Sequence, residues 1–333
     1  MKKEKIVLAL VGATGLVGST AIKVLEERKL DISEYIFFSS KKSANSKIKF
    51  MGKEYIVKEL NEENLLNNGI THAIFCAGGA VSEKFIPIAK ESGIICVDNS
   101  SKYRMTEGVP LVVTRVNKEE ISKNSGIIAN PNCSTIQAML PLYIIDKLFK
   151  IKRINVTSFQ AASGAGLKGI NGLKASIKGE ENDAFSRNLA KNVIPQIGGF
   201  AESGYSEEEE KIMNESAKIL GIKKGIVTAT TVRVPVLNSH SEAINVETFK
   251  KLDLDKLRKV FEKQEGIILM DDPNNNIFPV AEDANGQDDV LVGRLRLDHS
   301  TENALNFWCV ADNVRRGAAT NAVDILEELL KEK

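Results

Sequence analysis

Residues 6–18 read Ile-Val-Leu-Ala-Leu-Val-Gly-Ala-Thr-Gly-Leu-Val-Gly, and this stretch decides the fold of the N-terminal part of the chain. Residues 5–11 are almost wholly apolar, which predicts a strand buried on both faces, as in a parallel sheet. Gly12, Gly15 and Gly18 follow, and a helical pattern begins there. This order favours a dinucleotide site with the pyrophosphate on the helix N-terminus. A glycine-rich turn without a ligand is the alternative.

Short apolar strands alternate with helices as far as about residue 130. The pattern predicts strands at 35–39, 71–77 and 94–97, a helix at 82–92, and further strands at 109–113 and 127–129. Right-handed crossovers between such strands build a doubly wound, Rossmann-type α/β sheet.

The pattern changes after Cys133. A long helix is predicted at 134–149, and an amphipathic helix at 313–330 ends the chain. Longer strands are predicted at 153–161, 225–234, 241–248, 290–297 and 304–311. Strands of this length with few helices indicate an α+β domain on a mainly antiparallel sheet.

Composition excludes several classes of protein. The 333 residues are 43% apolar and 27% charged, which is ordinary for a soluble chain with two domains. A net charge of +1 gives no reason to expect nucleic acid or an anionic membrane as a partner. The N-terminal apolar run is too short to span a bilayer, and Glu4 interrupts the basic residues before it, so a secretory signal is not expected.

The cysteines point to one reactive thiol. Cys76, Cys96 and Cys309 lie in apolar strands and are interpreted as small buried hydrophobes. Cys133 lies instead in the polar run Pro-Asn-Cys-Ser-Thr at a predicted helix start, where the helix dipole stabilises a thiolate. The wide spacing of the four cysteines argues against metal sites and disulfides, and it fits a reducing cytoplasm.

An amide, a guanidinium and an imidazole follow this thiol along the chain. Gln160 opens a glycine-containing run, Arg233 ends a predicted strand, and His240 lies in a polar loop. Imidazole can act as acid and base near neutral pH, and a guanidinium can bind a carboxylate through two hydrogen bonds. The set suits nucleophilic chemistry on a carbonyl group, coupled to hydride transfer. A surface ion pair is the alternative for Arg233.

The end of the second strand indicates the cofactor. Enzymes that use NAD usually have an acidic residue there, whereas residues 38–43 read Phe-Ser-Ser-Lys-Lys-Ser. The hydroxyls of Ser39 and Ser43 and the charge of Lys42 suit the 2′-phosphate of NADP. A solvated basic turn is the alternative for each lysine.

Six motifs occur in one order along the chain. They are GATGLVG at 12–18, SSKYRM at 100–105, PNCST at 131–135, QAASGAG at 160–166, EEEK at 208–211 and RVPVLNSH at 233–240. This combination resembles the aspartate-β-semialdehyde dehydrogenase family, and the resemblance extends from Gly12 to the last helix.

The resemblance implies a role for each matching residue. Cys133 would be the nucleophile and thioester carrier, His240 the acid and base, and Gln160 the group that orients the acyl carbonyl. Arg233 would bind the substrate α-carboxylate, and Glu208 its α-amino group. Phosphate would be held by Arg104, Lys211 and Asn132. NADP would contact Gly12, Thr14, Gly15, Leu16, Val17, Ser39, Lys42, Ser43, Ser163, Gly164 and Asn313.

The same resemblance implies the reaction and the assembly. The reaction is the NADPH-dependent, reversible reductive dephosphorylation of L-aspartyl 4-phosphate to L-aspartate 4-semialdehyde, in the biosynthesis of lysine and diaminopimelate, threonine, methionine and isoleucine. The assembly is a homodimer. Residues 1–130 with 313–333 would form the NADP-binding domain, and residues 131–312 the catalytic and dimerisation domain. The alternatives are an N-acetyl-glutamyl-phosphate reductase and a non-catalytic Rossmann paralogue.

The chain departs from the family pattern at a few positions. Lys42 stands where the family commonly has arginine, and Asn45 where it commonly has glycine; lysine binds phosphate without the fork of arginine. Glu210 replaces a frequent aromatic residue. The acidic run is expected to be a solvated first helical turn, with Glu208 and Lys211 on one face.

Overall fold

The computed structural model describes residues 5–331; residues 1–4, including Glu4, and residues 332–333 lie outside the described part. The chain divides into two units, one up to Pro131 together with the segment from Ala318, and one at Asn132–Gly317. The return to the first unit thus falls later than the Asn313 expected from the sequence. Within residues 5–331, none of the helices combines the length and apolar character that a bilayer crossing requires.

A six-stranded parallel sheet forms the centre of the first unit. Its strands are β1 (Val7–Val11), β2 (Glu34–Ser39), β5 (Lys58–Glu59), β6 (His72–Phe75), β7 (Ile95–Asp98) and β8 (Ile127–Ala129), while β3 (Lys47–Phe50) and β4 (Lys53–Ile56) form a separate hairpin. The helices are α1 (Leu16–Arg28), α2 (Glu62–Leu66), α3 (Gly79–Glu91) and α4 (Thr114–Asn117). The strand order β5-β2-β1-β6-β7-β8 reverses at β1, where doubly wound sheets bind nucleotides.

The C-terminal segment completes the core of this unit. A π-helix at Arg315–Thr320 leads into α10 (Asn321–Lys331), so the single helix predicted from residue 313 is wrong in its first part. Val323, Leu326 and Leu329 of α10 are buried in one cluster with residues of β1 and α1. The end of the sequence therefore supplies part of the core around the beginning of the sequence.

The strand predicted at 109–113 does not form. Leu111 makes one isolated bridge to Ala129, and Val112 donates to the carbonyl of Ala129. Pro110 has no N–H to donate, so a regular ladder cannot pass through this segment.

The second unit is built on a mixed six-stranded sheet. Its strands are β9 (Ile151–Gln160), β10 (Val227–Arg233), β11 (His240–Thr248), β12 (Ile267–Leu269), β13 (Val290–Leu297) and β14 (Ala304–Ala311). The helices are α5 (Cys133–Phe149), α6 (Gly166–Lys178), α7 (Glu207–Leu220), α8 (Leu254–Lys263) and α9 (Ala281–Ala284). The strand order is β10-β9-β11-β14-β13-β12. The central pairs are antiparallel, which confirms the mainly antiparallel prediction, while β10–β9 and β12–β13 are parallel.

Candidate active site

Three adjacent strands of the second unit deliver polar side chains to the same edge of the sheet. Gln160 ends β9 and lies opposite Arg233, which ends the parallel strand β10. His240 begins β11, which runs antiparallel to β9. The carboxyl ends of two strands and the amino end of a third therefore meet, and the amide, guanidinium and imidazole predicted from the sequence come together.

Cys133 begins helix α5. The side-chain oxygen of Asn132 caps this helix by accepting from the backbone N–H of Ser134 at 2.9 Å and of Thr135 at 3.4 Å. The cap leaves the thiol at a helix N-terminus, where the dipole favours a thiolate. A methyl group on Gly317 would lie 2.9 Å from the Cβ of Cys133, so only glycine lets the π-helix backbone approach the thiol residue this closely.

Glu208 and Glu209 are buried, at 6% and 8% exposure, so the prediction of a solvated acidic turn is wrong for these two residues, whereas Glu207 is exposed. The carboxylate of Glu208 accepts hydrogen bonds from Asn132 Nδ2 at 2.8 Å, Gln160 Nε2 at 3.2 Å and Lys211 Nζ at 3.2 Å. Burial alone would raise the pKa of Glu208, but the charge of Lys211 and these hydrogen bonds outweigh it and hold that pKa below its usual value. Glu208 is therefore a buried anion within the predicted substrate site.

Arg233 is buried and anchored to the backbone. Its Nη1 donates to the carbonyl of Ala161 at 2.6 Å. Burial lowers the pKa of this guanidinium, while the negative charges of Glu208 and of a Cys133 thiolate act in the opposite direction. The surface ion pair considered for Arg233 is thus wrong, and a fixed positive charge faces both groups.

His240 is held by the same backbone residue. The N–H of Ala161 donates to Nδ1 of the imidazole at 3.0 Å. Nε2 is buried, and within the described part of the chain it has no hydrogen-bond partner. Burial and the charge of Arg233 lower the pKa of His240 well below 6.5.

The surroundings of Gly164 show that the side chains of Arg233 and His240 face the same space. A methyl group built on Gly164 would lie 2.6 Å from Nη1 of Arg233 and 3.2 Å from Nε2 of His240. The guanidinium and the free imidazole nitrogen therefore converge on one point that glycine keeps open, next to Ser163.

Ser163 and Asn313, both predicted to contact the cofactor, support the loop before His240. Ser163 Oγ lies 2.9 Å from the side-chain oxygens of Asn313 and Asn238. Ser239 has a φ of +72° and donates its N–H to Asn313 Oδ1 at 3.0 Å. A left-handed serine is strained, and these contacts hold it in place.

The glycine turn of the first unit fits a dinucleotide. Gly12 has a φ of +84°, and a methyl group on it would lie 2.8 Å from the backbone of Cys76; one on Gly18 would lie 2.1 Å from the carbonyl of Gly12. Gly15 caps α1 without a side-chain hydrogen bond, so the N–H groups of Leu16 and Val17 open a helix whose N-terminus suits a pyrophosphate.

The end of β2 lies beside the glycine turn. Thr14 Oγ1 and Ser39 Oγ are 2.7 Å apart, beside the turn. Lys42 is exposed and Ser43 half-buried in the loop that follows. No acidic side chain lies between Ser39 and Asn45, so these residues suit a phosphorylated ribose better than a free 2′-hydroxyl.

Arg104 belongs to the first unit, whereas Lys211 and Asn132 belong to the second. Its side chain is buried, with Nε donating to the carbonyl of Asn130 and Nη2 to the carbonyl of Asn99, each at 2.9 Å. The guanidinium is therefore held in one orientation by backbone oxygens.

Two buried carboxyl groups were not predicted as part of the site. Glu215 accepts the backbone N–H of Asn132 at 2.6 Å. It follows Glu208 by two helical turns on α7, and this spacing could have indicated a shared face. Glu242, the second residue after His240, is fully buried, and burial raises its pKa to about 8 despite the hydrogen bond that its carboxyl group accepts from Cys309 Sγ. Nothing in the charge pattern around residue 242 predicts that this glutamate is buried.

Comparison with known proteins identifies the class. Residues 7–124 match the family described as "Semialdehyde dehydrogenase, NAD binding domain", and residues 141–316 match "Semialdehyde dehydrogenase, dimerisation domain". These two matches together cover most of the chain, so the chain belongs to the semialdehyde dehydrogenase class.

Individual relatives narrow the class. Aspartate-semialdehyde dehydrogenase of Aquifex aeolicus is 46% identical, with 98% of each chain covered, and that of Bacillus subtilis is 39% identical, with 97% covered. The crystal structure of aspartate semialdehyde dehydrogenase II from Vibrio cholerae, complexed with ASA, is 42% identical and has a TM-score of 0.94 over 99% of each chain. The chain belongs to the aspartate-semialdehyde dehydrogenase family, which confirms the resemblance seen in the sequence.

Proposed function

We propose that this protein catalyses the NADPH-dependent reductive dephosphorylation of L-aspartyl 4-phosphate to L-aspartate 4-semialdehyde, through a thioester on Cys133. The observation that carries the proposal is the convergence of Gln160, Arg233 and His240 at one sheet edge in the unit that also presents Cys133 on a helix N-terminus. The same reaction in reverse would oxidise the semialdehyde in the presence of phosphate.

The charged groups of the site suit an amino-acid substrate. Arg233 offers a buried positive charge for the α-carboxylate, and Glu208 offers a buried negative charge for the α-amino group. Opposite charges held by the protein would orient the substrate so that its acyl carbon meets the thiol of Cys133. Gln160, whose amide nitrogen is held by Ser134 Oγ at 2.9 Å, would orient the acyl carbonyl.

Phosphate departure calls for positive charge and N–H donors. We assign this task to Arg104, Lys211 and Asn132. The fixed guanidinium of Arg104 can bind a phosphate oxygen without further ordering, and the Asn132 side chain has a second N–H beyond the one given to Glu208.

The cofactor residues support NADP. When bound, this cofactor supplies the hydride that reduces the thioester. Gly12, Thr14 and Gly15 would hold its pyrophosphate, while Ser39 and Lys42 would meet its 2′-phosphate. Ser163, Gly164 and Asn313 are assigned to its nicotinamide end. We expect the specificity constant for NADPH to exceed that for NADH, and a ratio near one would refute this choice.

A direct assay of NADPH formation tests the reaction. Purified protein given aspartate semialdehyde, phosphate and NADP should form NADPH, and arsenate in place of phosphate should keep turnover because the thioester only needs an oxyanion acceptor. Faster reduction of N-acetyl-glutamyl phosphate than of aspartyl phosphate would overturn the substrate, and no reduction of either would favour a non-catalytic protein.

Cys133→Ser separates chemistry from binding. The variant should lose nearly all turnover, because a serine hydroxyl at this position is a much weaker nucleophile than a thiolate, while NADPH binding measured by fluorescence stays intact. Cys309→Ser is the matched control, since this thiol is fully buried and burial raises its pKa well above 9.0. Substantial turnover in Cys133→Ser would exclude the thioester.

We also infer a homodimer located in the cytoplasm. The match to a dimerisation domain supports self-association, as do apolar side chains of the second unit that are more than half exposed, namely Leu167, Ile177, Val193, Phe200 and Phe249. Four free cysteines fit a reducing compartment. Sedimentation equilibrium should give twice the chain mass, and a monomer at micromolar concentration would contradict the dimer.

A further inference from the structure

We propose that Glu215 is a positioning residue: its carboxyl group holds the peptide N–H of Asn132 and thereby sets where helix α5 presents the thiol of Cys133 to the substrate. This inference rests on the proposed function, because it concerns the thiol that attacks the substrate in that reaction. Glu215 acts through Asn132, and it is assigned no contact with substrate, phosphate or cofactor.

Helix α5 lacks part of its own N-terminal cap. In a capping box, the N-cap side chain accepts an N–H from inside the helix, and the third helical residue accepts the N–H of the N-cap in return. Helix α7 has both halves of this box, at Ser206 and Glu209, whereas Asn132 provides only the first half for α5. The third residue of α5 is Thr135, whose Oγ1 has no hydrogen-bond partner within residues 5–331. The N–H of Asn132 therefore needs an acceptor from another part of the chain.

Glu215 on α7 supplies this acceptor. Its Oε2 lies 2.6 Å from the backbone nitrogen of Asn132. Asn132 is 6% exposed and Glu215 is 1% exposed, so water has little access to the contact. A buried N–H that loses its acceptor is costly. The start of the helix that carries the thiol is thus tied to a side chain of a different helix.

Asn132 is held at each of its polar groups. Its N–H donates to Glu215, and its Nδ2 donates to Glu208 at 2.8 Å. Its side-chain oxygen accepts from two N–H groups in the first turn of α5, and its carbonyl accepts from a third N–H at 2.8 Å. Cys133 is the next residue along the chain, so any movement of the Asn132 peptide would also move the thiol.

Helix α7 connects the thiol to the groups assigned to the substrate. Glu208 and Glu215 are seven residues apart, so they share one face of α7 and lie about 10 Å apart along its axis. Glu209 accepts the backbone N–H of Thr231 at 2.9 Å, which fixes α7 to β10, the strand that ends at Arg233. One helix therefore sets the distances from the nucleophile to the proposed ligands of the α-amino group and the α-carboxylate.

The charge of Glu215 has a partner on its own helix. Lys218 follows three residues later, on the same side of α7. Burial lowers the pKa of Lys218, while the negative charge of Glu215 acts in the opposite direction. The charge of Glu215 is thus met by Lys218, and what Glu215 contributes to the reaction is an oxygen that reaches Asn132.

Two conservative substitutions separate reach from charge. Glu215→Gln loses the charge but keeps an oxygen at the same distance along the side chain, so it can still accept the N–H of Asn132. Glu215→Asp keeps the charge but is one methylene shorter, so its carboxyl group no longer reaches Asn132. We expect kcat to stay near its original value in Glu215→Gln and to fall on the order of 100-fold in Glu215→Asp.

The kinetic constants show whether the effect is local. The KM for NADP should not change in Glu215→Asp, because the groups assigned to the pyrophosphate and the 2′-phosphate lie in the first unit. A loss in Glu215→Gln as large as that in Glu215→Asp would show that charge decides, and an unchanged kcat in both would show that the contact is dispensable. A KM for NADP that rises as kcat falls would indicate general damage to the fold. Each of these three results would overturn the proposal.

Lys218→Gln is the matched control on the same helix. It removes the half-buried charge near Glu215 and leaves the carboxyl group in contact with Asn132. We therefore expect kcat to stay near its original value. A loss comparable to that of Glu215→Asp would assign the effect to the paired charges and would overturn the positioning role.

Amide hydrogen exchange of the full-length protein, followed by NMR, tests the contact without turnover. The Asn132 amide should exchange slowly in the original protein and in Glu215→Gln, and about tenfold faster in Glu215→Asp. Fast exchange at Asn132 in the original protein, or equal rates in the two variants, would overturn the inference. Absence of turnover in the original protein would instead overturn the proposed function, while slow exchange at Asn132 would still support the contact.

Discussion

At the scale of single residues, the backbone of Ala161 organises the site. Its carbonyl accepts from Arg233, and its N–H donates to His240. One peptide segment thus orients the positive charge and the imidazole together. Side chains that bind backbone groups cannot lose their partners by substitution, which suits groups that must keep one orientation through a reaction.

Glu242 carries a prediction about pH and stability. Its pKa is raised from 4.5 to about 8 on folding, so in this interval the folded chain keeps a proton that the unfolded chain has released. The free energy of unfolding therefore falls as pH rises between these values. Glu242→Gln removes this loss, and we expect its melting temperature to exceed that of the original protein increasingly as pH rises toward 8.

The control is Glu247→Gln on the same strand. Glu247 makes ion pairs with Lys152 at 3.3 Å and Arg153 at 3.6 Å near the surface, and such pairs contribute little. This variant should melt slightly below or at the temperature of the original protein at every pH. A Glu242→Gln variant whose advantage does not grow with pH would show that Glu242 is ionised in the folded chain.

At the scale of elements, the close approach of the π-helix to α5 constrains the position of Cys133. π-helical turns occur often at functional sites. Gly317 lies within this π-helix, directly against Cys133. Any side chain larger than hydrogen at residue 317 would therefore push against Cys133 and change the position of its thiol.

Gly317→Ala should displace the thiol residue. The new methyl group would lie 2.9 Å from Cys133 Cβ, which is closer than such carbons pack. A shift of about 1 Å in a reacting group can cost on the order of 100-fold in rate, and we expect a loss of that size in kcat with little change in KM. Gly79→Ala is the control, because a methyl group there meets no atom within 4 Å.

Much of this arrangement could be predicted from the sequence. The apolar run before Gly12 predicts strand β1, and the polar residues around Cys133 predict the start of helix α5. Both predictions succeed because they depend only on residues that are neighbours in the sequence. The parallel pairing of β9 with β10 brings Gln160 opposite Arg233, and this contact joins distant segments that no local pattern connects. Glu215 and Glu242 were missed because charge normally predicts exposure, and only the folded chain shows their buried partners. The catalytic and binding roles of the site residues stay predictions until they are measured.

At the scale of the whole molecule, the two units differ in the number of chain segments that form them. The second unit is one continuous segment, whereas the first is made from both ends of the sequence. Leu326 of α10 has no exposed surface and packs in the cluster that contains Leu8 and Leu25. The stability of the nucleotide-binding unit therefore depends on the last helix.

Leu326→Ala tests this dependence. Truncating a fully buried leucine costs about 2–5 kcal/mol, and we expect the loss to appear as faster hydrogen exchange of the β1 amides. Leu330→Ala on the same helix is the control, because Leu330 is only partly buried against the cluster and should cost less. Unchanged protection of β1 in Leu326→Ala would show that α10 is dispensable for this core.

Because two separate segments form the first unit, the order of synthesis decides which unit can finish folding first. During translation its strands are made before α10, and they lack Val323, Leu326 and Leu329 until that helix is synthesised. The second unit is one continuous segment, so it can finish folding before α10 is available to the first unit. At about 5–20 residues per second this wait lasts on the order of tens of seconds. The apolar β1 segment thus stays without its α10 partners, and open to aggregation, until α10 has been synthesised.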